Sequence, residues 1–205
     1  MHSQNKKKNW YVQRFLLKWY EKNKRNLPWR NLRSNDRINP YYVLVSEFML
    51  QQTKVNTVIK RFNEFIKLWP SIDKLSRISE DRILQFWSGL GYYNRAKNLL
   101  KTTKIISRDF KSKVPKHFDQ LINLPGVGDY TAKAILGIAY NQPFFPIDAN
   151  IERIIARLYG IKKLLHLNKK KIEDITSQYH SPDKASNLIQ SFMDYGSAIC
   201  LPRNP

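Results

Sequence analysis

Apolar residues recur at intervals of three and four along most of the chain, and no convincing run alternates with period two. That pattern restricts the fold to packed amphipathic helices, because a 3.6-residue period lines one helix face and a two-residue period lines one strand face. The clearest stripe is Val55, Val58, Ile59, Phe62, Phe65, Ile66 and Trp69 within residues 54–69, and Pro70 stops it. Residues 11–22 carry Phe15, Leu16, Trp19 and Tyr20 on one face, and 42–50 form a nearly continuous apolar run. A helix over 80–88 follows the capping candidate Ser79 and ends at Gly89. Helices over 94–108 and 129–140 come next, then 148–158 with Ile151, Ile154, Ile155 and Leu158 in register, and last 184–199. The chain's 7 glycines fall mostly between these segments. An all-α protein of about eight to ten helices with short connections is expected.

Composition narrows the partner. The 205 residues include 36 Lys and Arg against 16 Asp and Glu, a formal net charge of +20. With 42% hydrophobic and 13% aromatic residues the chain can bury a core, which excludes disorder. A charge of +20 exceeds the roughly 2–8 that solubility asks for and predicts a polyanionic partner, most simply nucleic acid. No run approaches the ~18 apolar residues of a membrane span. The polar, basic N-terminus lacks an apolar signal core. A soluble, intracellular protein is expected. The single cysteine excludes a disulfide scaffold and any metal site built from this chain's thiolates alone. Lys97, Lys101, Lys104 and Arg108 share one helix face. A solvated face and a phosphate-contacting face both fit that stripe.

Two glycine hairpins punctuate the helices. Leu124-Pro125-Gly126-Val127-Gly128 stands directly before a helix. Its backbone N–H groups, with the helix N-terminus behind them, suit a phosphate, and an ordinary turn between helices fits as well. The spacing is neither a P-loop nor a dinucleotide fingerprint. Gly89-Leu90-Gly91 is followed by Tyr92 and Tyr93, which could stack on or wedge between bases. At least one of these tyrosines is expected to pack between helices.

Two carboxylates stand out. Glu47 interrupts the apolar run, with Val43, Leu44 and Leu50 as its helical neighbours. Such surroundings favour a protonated carboxyl near neutrality, although an exposed helix edge is the other reading. Asp148 opens a helix in Pro146-Ile147-Asp148-Ala149-Asn150 and reads first as an N-cap. A cap aspartate is also a fixed negative charge, so capping and catalysis are compatible. His2, His117, His166 and His180 show no metal-ligand spacing.

Taken in order, Ser46-Glu47-Phe48-Met49-Leu50-Gln51-Gln52-Thr53, Gly89-Leu90-Gly91-Tyr92-Tyr93, Leu124-Pro125-Gly126-Val127-Gly128, Asp148-Ala149-Asn150 and the segment from Met193 to Cys200 form a specific set. This set resembles the helix-hairpin-helix DNA glycosylases, and within them the adenine DNA glycosylases (MutY type), over nearly the whole chain. The resemblance implies two helical domains flanking a DNA-binding cleft. One would be a six-helix barrel over 28–146 that carries the hairpin. The other would join 1–27 to 147–205. The implied activity is hydrolysis of the N-glycosidic bond of adenine mispaired with 8-oxoguanine or guanine in duplex DNA, by a monomer in the bacterial cytoplasm. Glu47 matches the general acid and Asp148 the carboxylate that stabilises the sugar cation. Tyr130 and Asn150 match residues that assist there. Trp29 and Arg30 match the adenine pocket. Gln52, Thr53, Leu90 and Tyr92 match residues that fill the gap or meet the opposite base, and Gly126, Val127 and Gly128 match the DNA-binding hairpin.

The resemblance also sets out alternatives. Endonuclease III-type enzymes carry a nucleophilic lysine where this chain has Tyr130, so a monofunctional enzyme is expected. Thymine mismatch glycosylases of the same fold share the tyrosine and the Asp-Ala-Asn segment. A non-catalytic DNA-binding fragment is the reading from a different class, although carboxylates beside phosphates weaken binding and point to chemistry. The family's [4Fe–4S] cluster uses four cysteines, and Cys200 matches the first. The sequence holds no second cysteine, so this chain cannot complete the cluster. A truncated sequence and a cluster-less form both fit, and the family's 8-oxoguanine-reading C-terminal domain has no counterpart here.

Overall fold

A computed structural model describes residues 2–30, 37–161, 168–179 and 183–203. His166 and His180 lie outside these residues. Eleven α-helices and no strand are found among the described residues. The chain divides into two compact units, one made of Met1–Arg25 with Leu136–Pro205 and the other of Asn26–Ile135.

The Asn26–Ile135 unit is organised around its first long helix. A 3-10 turn at Pro28–Arg30 precedes α2 (Pro40–Leu50), and α1 (His2–Asn23) belongs to the other unit. Asn39 caps α2 by accepting the Tyr41 N–H at 3.0 Å, and Pro40 occupies the first turn, where no N–H is needed. Tyr41 and every residue from Val43 to Met49 are buried. A helix apolar on all sides belongs in a core, and α2 packs against α3 (Val55–Leu68), α6 (Asn94–Asp109) and α8 (Asp129–Ala134). Val58, Phe62 and Phe65 are the buried stripe of α3. Phe65 meets Trp69 and Phe86 edge-on, with centroids 4.8 and 5.4 Å away. Short α4 (Ile72–Ser76), α5 (Glu80–Trp87) and α7 (Phe118–Ile122) complete the unit. Ser79 caps α5 through the Arg82 N–H, and Glu80 and Asp81 complement its N-terminal dipole.

The other unit packs α1 (His2–Asn23) and α9 (Ala149–Leu158) against α11 (Ala185–Ala198), with α10 (Lys169–Thr176) on α9. Leu16, Tyr20, Ile151, Ile155, Leu188, Ile189 and Phe192 supply its core. Asp194 is fully buried and accepts both the Arg25 N–H and, at 2.5 Å, the Arg25 Nε–H.

Two boundaries differ from the sequence reading. Helix α1 starts at His2, not near residue 11, because its polar first turns carry no apolar stripe to signal them. The helix expected over 129–140 is α8 followed by a π-helical turn, Ile135–Ala139. A Cβ at Gly137 would lie 2.4 Å from both Ile189 Cδ1 and the Phe144 carbonyl, so the widened turn sits where a side chain would not fit. No helix among the described residues is long and apolar enough to cross a membrane.

Candidate active site

Glu47 lies in the middle of α2 and is 8% exposed. Val43 and Leu44, one turn before it, are fully buried, and Leu50 follows one turn later. Of the two readings the sequence left open, the buried one holds.

Asp148 is extended (φ −92°, ψ 175°) and caps α9. Oδ1 accepts the Ile151 N–H at 2.8 Å, and Oδ2 accepts Asn150 Nδ2 at 2.9 Å. Both oxygens therefore face donors, an arrangement that fixes a carboxylate in one rotamer. Asn150 is held in turn, because its Oδ1 accepts Arg153 Nη2 at 2.8 Å. Arg153 also donates to Gly196 O at 2.6 Å, Cys200 O at 2.7 Å and Ala149 O at 3.0 Å. The guanidinium thus ties the start of α9 to the end of α11. Gly196 makes this possible, since a Cβ there would lie 2.5 Å from Asn150 Cβ. Sequence reasoning missed Arg153. Its place three residues after Asn150, on the same helix face, was the available signal.

Gln52 and Tyr92 share an unusual backbone. Gln52 has φ 56° and Tyr92 has φ 48°, both in the left-handed region that side chains disfavour. Gly89 and Gly91 of the neighbouring turn also have positive φ. Gln52 is exposed, and Thr53 is half-buried. Tyr92 is 62% and Tyr93 47% exposed, so neither packs between helices, contrary to expectation. The reason is the turn itself, in which buried Leu90 supplies the anchoring side chain and the tyrosines are left outside. Gln51, Gln52, Tyr92, Tyr93, Asn94 and Arg95 line an open pocket of about 400 Å³.

In the second hairpin, Leu124 and Val127 are buried while Gly126 and Gly128 are exposed. Gly126 (φ 76°) lies against α2 and α6, and a Cβ there would lie 2.8 Å from Phe48 Cε1 and Asn98 Cβ. Thr102 Oγ1 donates to Pro125 O at 2.7 Å and fastens the turn to α6. Tyr130 follows in the first turn of α8 and is half-buried. Trp29 is buried edge-on to Phe62, with Arg30 half-buried beside it in the chain.

On the basic face of α6, Lys97 pairs with Glu80 at 2.7 Å, while Lys101 and Lys104 are exposed. The hydrogen bond from Lys97 and the field of the other lysines hold the Glu80 carboxyl below its ordinary range.

A four-thiolate iron–sulfur cluster does not fit the residues present. Cys200 is the chain's single cysteine. Its sulfur accepts Arg157 Nη1 at 3.2 Å, and no three His, Cys, Asp or Glu side chains gather among the described residues.

Residues 45–182 match the family described as HhH-GPD superfamily base excision DNA repair protein. Adenine DNA glycosylase of Buchnera aphidicola subsp. Baizongia pistaciae is 42% identical over 195 residues, which cover 93% of this chain and 53% of that protein. The Homo sapiens adenine DNA glycosylase is 34% identical over 93% of this chain and 36% of its own length. The chain spans about half the length of the Buchnera aphidicola relatives that it matches. A solved thermostable thymine-DNA glycosylase superposes with TM-score 0.85 at 26% identity, covering 97% of this chain and 90% of that one. A non-covalent endonuclease III–DNA complex gives TM-score 0.76 at 20% identity over 98% and 89% of the two chains, a likeness of fold.

Proposed function

Because the chain belongs to the HhH-GPD superfamily of base excision DNA repair proteins, we propose that it is a monofunctional glycosylase that hydrolyses the N-glycosidic bond of adenine mispaired with 8-oxoguanine or guanine in duplex DNA. The observation that carries this reading is two carboxyl groups, one buried within a helix and one fixed at a helix start. Glu47 is buried in an apolar helix, and Asp148 accepts hydrogen bonds on both oxygens. Relatives named adenine DNA glycosylase support the choice of base.

The chemistry asks for such a pair. A duplex hides the glycosidic bond, so the nucleotide must first leave the stack. Breaking the bond then builds positive charge on the sugar, as in glycoside hydrolysis. Glu47, buried in the middle of α2, is the carboxyl group assigned to protonate the departing adenine ring. Asp148, fixed by the Ile151 N–H and the Asn150 amide, faces the sugar cation as a preoriented negative charge. Water then completes the hydrolysis. Tyr130 stands where a Schiff-base lysine would be needed for strand cleavage, and a phenol cannot form that imine.

The remaining residues grip DNA. Exposed Gly126 and Gly128 offer backbone N–H groups to phosphates, with Val127 anchoring the turn. Trp29 and Arg30 border the adenine pocket. Gln52, Thr53 and Tyr92 meet the base opposite, and buried Leu90 holds their turn in place.

The test is single-turnover excision from a duplex with adenine opposite 8-oxoguanine. Glu47→Gln and Asp148→Asn are each expected to slow the step by at least about 10²-fold while duplex binding persists. Undiminished excision by Glu47→Gln would overturn the assignment. Release of thymine from a G·T duplex, with adenine left in place, would move the chain to the thymine mismatch enzymes of the same fold.

A further inference from the structure

The Arg95 guanidinium donates to six oxygens, and none of the roles above accounts for it. It lies in the first turn of α6 and is only 7% exposed. Nη1 donates to Met49 O at 2.8 Å, Phe48 O at 3.1 Å and Gln51 O. Nη2 donates to Leu90 O at 2.8 Å, Gly91 O at 3.1 Å and Thr53 Oγ1 at 3.1 Å. The guanidinium carbon also stands 5.6 Å from the ring centroids of both Trp87 and Tyr92. One planar group therefore joins the end of α2, the Gln51–Thr53 turn and the Gly89–Gly91 turn.

Each contact has a physical reason. The last turn of a helix leaves carbonyls without intrahelical partners, and a cation there also answers the helix dipole. Phe48 O and Met49 O are such carbonyls. In the glycine turn, Leu90 O and Gly91 O are drawn inward onto the guanidinium, and the next residue, Tyr92, is turned out at positive φ. The same happens at Gln51 O, after which Gln52 is turned out at positive φ. Left-handed conformations of non-glycine residues persist only where their surroundings hold them. Here the two strained residues have one holder in common.

We propose that Arg95 is a positioning residue for recognition of the base opposite the excised adenine. By fixing two turns to one guanidinium, it presents Gln52 and Tyr92 to the DNA as a pair. The proposal rests on the glycosylase reading given above. Lysine cannot substitute, because an ammonium has three donors on one atom and cannot span two sets of carbonyls as a planar fork does. A merely structural role would instead be met by any variant that keeps the fold.

The test compares Arg95→Met and Arg95→Lys with the wild-type chain. Affinity is measured for a duplex with an excision-resistant 2′-fluoro-adenosine opposite 8-oxoguanine and for a fully paired duplex of the same flanks. Thermal unfolding of each variant is recorded alongside. Both variants are expected to lose at least about tenfold in the ratio of mispaired to paired affinity. Their affinity for paired duplex, and its salt dependence, should stay within about twofold, because the phosphate-gripping hairpin is untouched. Should Arg95→Met fail to fold, Arg95→Lys, which keeps the charge and stem, carries the comparison. A ratio kept within twofold in a folded variant overturns the role of Arg95 alone. A wild-type chain that binds both duplexes equally overturns the glycosylase reading and this proposal with it.

Discussion

Gly196→Ala tests how closely α11 is fitted to the Asp148 segment. A Cβ at position 196 would lie 2.5 Å from Asn150 Cβ, 3.1 Å from Asn150 Cα and 3.2 Å from its carbonyl oxygen. Every obstructing atom is backbone or Cβ, so no flexible side-chain tip can swing away. Restoring ordinary contact requires the two helices to separate by about 1 Å at this point. Overpacking of this kind costs about 1–3 kcal/mol. Weakening the Arg153 bond to Gly196 O adds about 1 kcal/mol, and alanine's better helix propensity returns about 1 kcal/mol. The net expectation is a loss of about 2 kcal/mol, read from the urea midpoint. Asp148 and Asn150 would move together with the start of α9, and misplacement of the Asp148 carboxylate by about 1 Å is expected to slow single-turnover excision about 10²-fold. Gly160→Ala is the control. Its φ of +62° makes it cost about 1 kcal/mol, but nothing lies within 4 Å, so excision should be unchanged. A Gly196→Ala chain that loses less than about 0.5 kcal/mol and excises within threefold of wild type would refute the reasoning.

Three further outcomes follow from single contacts. Gly126→Ala combines a φ of +76° with 2.8 Å approaches to Phe48 and Asn98 and should cost about 3 kcal/mol in chemical unfolding while weakening duplex affinity. Arg25→Ala removes the Nε–H donor to fully buried Asp194, keeps the backbone N–H donor, and should lower stability by about 2 kcal/mol, measured by urea titration. Tyr41 donates to Trp69 O at 2.8 Å, and burial pushes its phenol far above the ordinary value of 10.0. The folded state therefore keeps the neutral phenol while the unfolded chain ionises, so this stabilisation is complete below pH 10 and declines as pH rises above it. Tyr41→Phe should lose about 1 kcal/mol at pH 7, with a shallower decline than wild type above pH 10, followed by stability measurements across that range.

What could be read in advance depended on whether the signal was local. The stripe of Val58, Phe62 and Phe65 ahead of Pro70 announced α3, and Ser79 announced the start of α5. The apolar run around Glu47 likewise announced a buried carboxyl. Helices α4 and α7, five residues each, are too short to display a period. The π-helical turn was illegible because it accompanies the approach of Gly137 to Ile189, far along the chain. Arg95 and Arg153 were missed for a related reason. Both act by donating to backbone carbonyls, and a carbonyl leaves no mark on sequence. The outward tyrosines were misjudged because aromatic character alone does not reveal that Leu90 takes the inner place in the turn.

Removal of adenine by hydrolysis, the proposed activity, is tested by the products of a single turnover. The wild-type chain, in excess over a duplex carrying adenine opposite 8-oxoguanine, should release free adenine and leave an intact strand that breaks only on alkali treatment. No strand scission should accompany excision, since Tyr130 offers no amine for an imine-driven elimination. Strand scission without alkali, or a duplex bound with its adenine retained, would each contradict hydrolytic removal of adenine by this chain.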